Sequence, residues 1–279
     1  MIYVSTSCLR NPINVIRVLQ EYEKANIENV ELGSVHNFFD VKKLKQFNFN
    51  FIVHNYFPPP KTKLIFNLAS QNKSILKRSI KLAKDAINLC CDIESPLYTF
   101  HAGFTTDPKK LGVRFSQKNI LKKETSLKIF VDSVSDVIDY AKNRGIKIAM
   151  EPNVVQKFNL TNNKNELLLF ADYDEIKQFY KIFKKKDIGI LLDLGHTAVT
   201  SYWLNFDKNK FVKLCLDKTF AVHVSNNNGR QDQHNSLTKK CWQTSKLKLF
   251  KDVPISLETM NLDISQIQKN MKIANSAIT

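Results

Sequence analysis

Eight short apolar runs alternate with helix-forming stretches along this chain, and that alternation constrains its fold more than any other feature. The runs are Ile2 to Thr6, Asn29 to Gly33, Asn50 to His54, Leu97 to His101, Ile146 to Glu151, Ile188 to Asp193, Thr219 to Val224 and Ile255 to Glu258. Each is too short for a helix and reads as a buried strand. Between Pro12 and Asn26, residues Val15, Val18, Leu19 and Tyr22 fall at i, i+3, i+4 and i+7, the stripe of an amphipathic helix, and Pro12 suits its first turn. Asp40 can cap a short helix over Val41 to Phe47. Further helices are predicted from Asn72 to Cys91, Lys118 to Asn143, Tyr173 to Lys185, Asp207 to Leu216 and Ile264 to Ala274. Strand–helix alternation implies a parallel sheet with crossover helices. Eight strands close it into a (β/α)8 TIM barrel, an α/β fold of about this length. No linker or composition break interrupts the pattern, so residues 1–279 read as one domain.

Several classes are disfavoured by composition. No apolar run approaches the roughly 20 residues of a membrane span, and Met1-Ile2-Tyr3-Val4-Ser5 lacks the features of a signal peptide. The five cysteines, Cys8, Cys90, Cys91, Cys215 and Cys241, show no CxxC spacing and are odd in number, which fits reduced thiols in the cytoplasm. The net charge of +16 raises a nucleic-acid partner. However, the lysines are scattered over helical stretches, and the densest runs (Lys184-Lys185-Lys186, Lys122-Lys123, Lys239-Lys240) are short. Homo-oligomerisation is left open.

The strand ends carry the chemistry. Strand three ends in His54, four in His101, five in Glu151, and six in Asp193 with His196 three residues on; His223 lies near the end of strand seven and Glu258 ends strand eight. Arg230, Asp232 and His234 follow on the Asn/Gly-rich loop after strand seven. One such histidine would be an ordinary core or rim residue. Six consecutive strands ending this way would gather mutually repelling carboxylates in one pocket, and a divalent cation relieves that repulsion. Glu151, Asp193, His223 and Glu258 make an oxygen-rich set suited to Mn²⁺ or Mg²⁺, with Co²⁺ or Zn²⁺ as alternatives. His54, His101, His196, Asp232 and His234 are then substrate contacts or ligands of further metals.

These motifs resemble the xylose isomerase-like TIM-barrel superfamily, in particular its sugar phosphate isomerase/epimerase branch. The resemblance is carried by Val30-Glu31-Leu32-Gly33, Val53-His54 with Asn67-Leu68-Ala69-Ser70, Phe100-His101-Ala102-Gly103, Met150-Glu151-Pro152-Asn153, Leu192-Asp193-Leu194-Gly195-His196, the stretch His223 to His234, and Leu257-Glu258-Thr259. It implies a single-metal ligand set of Glu151, Asp193, His223 and Glu258. Glu151 and Glu258 would also form an acid/base pair that moves a proton on the carbon beside a carbonyl. His196 and Arg230 would bind substrate oxygens, with His54 and His101 at the pocket rim. Glu31 would contact a substrate hydroxyl or form a structural salt bridge. The implied partner is a small sugar or sugar phosphate; a polyol dehydratase would use the same metal and base.

The same superfamily contains the AP endonuclease IV family, three-zinc phosphodiesterases acting on abasic DNA. All nine ligand types of that family occur here in order: His54, His101, Glu151, Asp193, His196, His223, Asp232, His234 and Glu258. The loop from His223 to Asp232 is shorter than that family usually has, and the Asp193-Leu194-Gly195-His196-Thr197 pattern sits better with the sugar branch. Asn226, where the sugar branch usually has Asp, and Met150-Glu151-Pro152-Asn153 depart from the sugar branch in turn.

Overall fold

The eight expected strands form a closed parallel barrel in the computed structural model, in the order β1 to β8 with β8 returning to β1. Residues 1–116, 120–184 and 187–279 are described. The strands are β1 (Ile2–Ser5), β2 (Asn29–Leu32), β3 (Asn50–His54), β4 (Leu97–His101), β5 (Lys147–Glu151), β6 (Ile188–Asp193), β7 (Thr219–Val224) and β8 (Ile255–Leu257). The α-helices are α1 (Val15–Lys24), α2 (Lys73–Asp92), α3 (Lys123–Lys142), α4 (Tyr173–Ile182), α5 (Leu194–Trp203), α6 (Lys208–Cys215) and α7 (Ile264–Ile278). Asn14, Asn72, Asp172, Asp207 and Asp263 cap five of these helices, each side chain accepting backbone N–H groups of the first turn. Asp40 does the same for a 3₁₀ turn, Val41–Gln46, where a short helix was predicted.

Strand alternation explains how the site is built. Ile52, Ala149, Leu191 and Ala221 are buried in one apolar cluster inside the barrel. Two residues further along the same strands stand His54, Glu151, Asp193 and His223, which therefore face the same interior one layer higher. The apolar layer plugs the barrel, and the ionisable layer sits on it at the C-terminal end. Register sets the neighbours: His101 pairs with Glu151, and Asp193 with His223.

Three expectations are corrected. The predicted helix from Lys118 begins at Lys123, with Lys118 itself outside the described residues, as are Lys185 and Lys186. Glu258 lies one residue beyond β8, held by its N–H donating to Val224 O at 3.1 Å. Helix α5, directly after Asp193, was not anticipated; Asp193 is both the last residue of β6 and its N-cap, with Oδ1 accepting from His196 N at 2.7 Å.

Candidate metal centre

Four carboxylates and five imidazoles meet above the apolar plug. Glu151 is fully buried, with Oε1 2.9 Å from His196 Nδ1 and Oε2 3.3 Å from His101 Nδ1 and 3.6 Å from His54 Nε2. His223 Nδ1 lies 3.3 Å from Glu258 Oε2, 3.9 Å from Glu151 Oε1 and 4.0 Å from Asp193 Oδ2. Asp232 Oδ2 sits between His196 Nε2 at 3.3 Å and His234 Nε2 at 3.1 Å. Donor atoms within 4.8 Å of one another form four overlapping groups: His54/Glu151/His223, Glu151/Asp193/His196, Asp193/His223/Glu258 and His196/Asp232/His234.

The donor set fits a divalent cation. No hydrogen bond reaches Glu151 Oε2, Asp193 Oδ2 or Asp232 Oδ1, although all three are buried. Orphaned carboxylate oxygens at this depth are costly unless they are ligands or become protonated. Outer partners also orient the imidazoles as metal ligands require. His234 Nδ1 donates to Glu258 O at 2.8 Å, which leaves Nε2 facing the cluster. His54 Nδ1 is engaged by Thr99 Oγ1 at 2.9 Å and its Nε2 faces Glu151. His223 Nε2 meets Glu31 Oε2 at 2.7 Å, leaving Nδ1 for the centre. Glu31 thus holds the His223 ring and does not line the cavity.

Charge is strongly redistributed among these groups. Burial raises the Asp193 carboxyl to about 6. Burial works the same way on Glu151, but the imidazoles of His101 and His196 outweigh it and hold that carboxyl at about 2. For Glu258 the His223 ring likewise overcomes burial and keeps the carboxyl well below its ordinary range. Burial lowers His101 to about 4, whereas Asp232 overcomes burial at His234 and lifts it to about 9. Perturbed groups of this kind concentrate at functional sites.

A cavity of about 500 Å³ opens above the cluster. Its floor presents His54, His101, His196, Asp232, His234 and Glu258. Glu151, Asp193 and His223 lie beneath, essentially sealed from solvent. Arg230, expected at the substrate, is elsewhere: it is exposed, its guanidinium stands 5.1 Å from the centre of the Tyr202 ring, and it does not line the cavity. The loop carrying it is pinched by reciprocal Asn226–Asn235 backbone hydrogen bonds and tied to α5 by Asn227 Nδ2 donating to Gly195 O at 2.9 Å. That closure turns Asp232 and His234 inward and Arg230 outward. Sequence reasoning missed the walls, including Tyr56, Phe104, Phe115 and Phe158, which come from loops without periodicity.

The family model for the xylose isomerase-like TIM barrel matches residues 41–272. The chain belongs to this family. Among solved structures, it superposes on a D-tagatose 3-epimerase-like protein with a TM-score of 0.70 and 19% identity, covering 100% of this chain and 99% of that one. The 3-keto-D-glucoside 4-epimerase of E. coli gives a TM-score of 0.68 at 9% identity, covering 99% and 98%. At these identities the likeness is one of fold. By sequence, the chain is 23% identical over 210 residues to a probable endonuclease 4 of Aquifex aeolicus, covering 71% of this chain and 64% of that protein. It is 21% identical over 288 residues to an uncharacterised protein of Methanocaldococcus jannaschii, covering 96% and 98%. The chain therefore spans less than two thirds of the endonuclease relative. Among the described residues, no helix is long and apolar enough to cross a membrane.

Proposed function

We propose that this protein is a divalent-metal-dependent isomerase or epimerase of a small sugar. The observation that carries the reading is the pair Glu151 and Glu258, set three strands apart around the barrel and converging on the same His223 nitrogen beneath a cavity of about 500 Å³. Glu151, Asp193, His223 and Glu258 would hold the cation, with Mn²⁺ favoured by the oxygen-rich set. The bound cation would supply the Lewis acid that polarises the substrate oxygens. Glu151 and Glu258, both kept as carboxylates at neutral pH, are matched to taking a proton from the carbon beside a carbonyl and returning one. His196, Asp232 and His234 line the floor with Glu258, directly above the buried Glu151, and would bind the substrate oxygens that orient that carbon.

The cavity supports a small substrate over a polymer. Although 42 residues of the chain are Lys or Arg, no described residue lining the cavity is either. Side chains at its mouth include Val35, Leu111 and Met260. A strand of nucleic acid crossing that mouth would meet apolar groups where phosphates need cations.

A second reading keeps a specific observation in its favour. The groups His54/Glu151/His223 and His196/Asp232/His234 extend the donor set beyond one cation, and relatives by sequence include proteins named endonuclease 4. A three-zinc phosphodiesterase acting on abasic DNA would use all nine residues. One experiment separates the two. The full chain, reconstituted with Mn²⁺ or with Zn²⁺, is assayed for solvent-deuterium incorporation into a panel of ketoses and for cleavage of an abasic-site duplex. Exchange that is lost in Glu151→Gln and Glu258→Gln supports the sugar reading. Incision of the duplex without exchange replaces it with the nuclease.

A further inference from the structure

Two polar side chains in the cavity wall stand apart from the rest. Tyr56, Asn153, Gln156 and Asn159 line that wall, and each already holds a protein hydrogen bond. Tyr56 Oη accepts from Phe66 N, Asn153 Nδ2 donates to Gly103 O and Leu169 O, Gln156 Oε1 accepts from Asp232 N, and Asn159 Oδ1 accepts from Gln156 N. Ser34 and Asn55 line the same cavity, but Ser34 Oγ and Asn55 Oδ1 are buried and have no hydrogen-bond partner. Sheet register brings the two together. Leu32 of β2 pairs with Val53 of β3, so two residues on, Ser34 and Asn55 take neighbouring positions where the chain leaves the barrel. Asn55 has a left-handed backbone, φ 50°, which asparagine tolerates better than most residues. Its N–H donates to Thr99 O and its C=O accepts from Tyr98 Oη. The backbone is thereby fixed, and the amide is left to turn. A serine hydroxyl and an amide carbonyl are complementary, yet these two do not bond each other. Buried polar atoms without partners are costly. Each turns into the cavity by rotation about a single bond, χ1 for Ser34 and χ2 for Asn55, and that rotation breaks no hydrogen bond.

We propose that Ser34 and Asn55 form a hydroxyl-reading subsite of this cavity, in which one sugar hydroxyl donates to Asn55 Oδ1 and accepts from Ser34 Oγ. The inference rests on the isomerase/epimerase reading for the class of ligand. The pair offers one acceptor and one donor, and a hydroxyl is the sugar substituent that answers both. A carbonyl or phosphate oxygen cannot donate to Oδ1, and a hydrogen in place of the hydroxyl leaves both protein groups unpaired. A site built in this way discriminates against an analogue that lacks the hydroxyl.

The test pairs changes in the ligand with changes in the protein. The probes are the 2-ketohexoses fructose, psicose, tagatose and sorbose, and the monodeoxy analogues of whichever binds most tightly. Binding to the full Mn²⁺-loaded chain is measured by calorimetry, and turnover by deuterium incorporation next to the carbonyl. The variants are Ser34→Ala and Asn55→Gly, glycine being suited to the φ of 50°. Both should bind Mn²⁺ as the unaltered chain does, which shows that the barrel and its centre are intact. In the unaltered chain, removing one particular hydroxyl is expected to weaken binding about tenfold or more. In each variant, removing the same hydroxyl should cost less than about threefold, because its partner is already gone. Equal losses in all three chains for every hydroxyl would mean that the pair holds water or nothing, and would overturn the inference, as would binding of none of the four ketoses. Deuterium exchange that persists alongside equal losses removes the subsite and keeps the isomerase/epimerase reading. Hydroxyl-selective binding that both variants lose, without exchange into any ketose, keeps the subsite and removes that reading.

Discussion

Single residues outside the candidate metal centre orient the side chains that would form it. Glu31, 1% exposed, holds the Nε2 side of His223 at 2.7 Å and so directs Nδ1 to the centre. Such outer partners typically govern metal affinity by about 10- to 100-fold. Glu31→Gln preserves shape but removes the charge, so Mn²⁺ affinity by calorimetry should fall in that range while the far-ultraviolet circular dichroism stays unchanged; unaltered affinity would assign Glu31 a purely structural role. Away from the centre, His36 is buried with Nδ1 donating to Pro12 O and Nε2 accepting from Thr6 Oγ1, and burial lowers it to about 4. An unfolded histidine titrates near 6.5. As pH falls, the unfolded chain is protonated first. The stability that neutral His36 provides is whole above about pH 6.5 and is lost towards pH 4, a swing on the order of 2–3 kcal/mol. Urea midpoints measured across this window should therefore fall less steeply in His36→Asn than in the unaltered protein. At this scale the sequence was most readable: ionisable residues closing six apolar strands are conspicuous. The destination of Arg230 was not readable, because a loop closed by Asn226–Asn235 pairing decides which side chains turn inward.

Among the elements, α5 shows why part of the site was hidden from the sequence. Eight of its ten residues are buried, so it has no polar face and no amphipathic stripe to betray it. It nevertheless carries His196 and is capped by Asp193, a candidate ligand. Its first turn is crowded at Gly195, where a Cβ would stand 2.9 Å from Ser225 Oγ, 3.1 Å from Asp193 Oδ1 and 3.2 Å from Asn227 Nδ2. Alanine is the better helix former by about 1 kcal/mol, and that gain opposes the cost of the contacts. Gly195→Ala should therefore change the urea midpoint little while displacing the Asp193 carboxylate and weakening Mn²⁺ binding by about tenfold or more. A variant with both properties intact would show that the turn yields without moving the ligand. The strands, by contrast, were legible almost to the residue. A run bounded by turn-forming residues states its own limits, and the two-residue period fixes which side chains face the barrel.

For the molecule as a whole, the barrel concentrates ionisable groups at a place that stability alone would not choose. Asp193 is 2% exposed, its Oδ2 has no hydrogen-bond partner, and burial, reinforced by the charges of Glu151 and Glu258, outweighs the attraction of His196 and pushes its carboxyl up to about 6. The fold tolerates this because the apolar plug of Ile52, Ala149, Leu191 and Ala221 holds the strands closed beneath it. A cation at the centre would convert that repulsion into stabilisation. Chelation followed by dialysis should then lower the melting temperature, and Mn²⁺ at a hundred times its dissociation constant should restore about 2.7 kcal/mol. For a chain of this size that corresponds to roughly 5–10 °C. Asp193→Asn separates this account from general salt effects. Removing one buried charge relieves the repulsion, so the chelated variant should melt at or above the chelated parent, a trade of stability against function expected at an active site. The same variant loses a ligand, so Mn²⁺ should no longer raise its melting temperature. A chelated Asp193→Asn protein that melts well below the parent, or one that still gains several degrees from Mn²⁺, would mean that Asp193 stabilises the barrel by hydrogen bonding and that the cation binds through other residues.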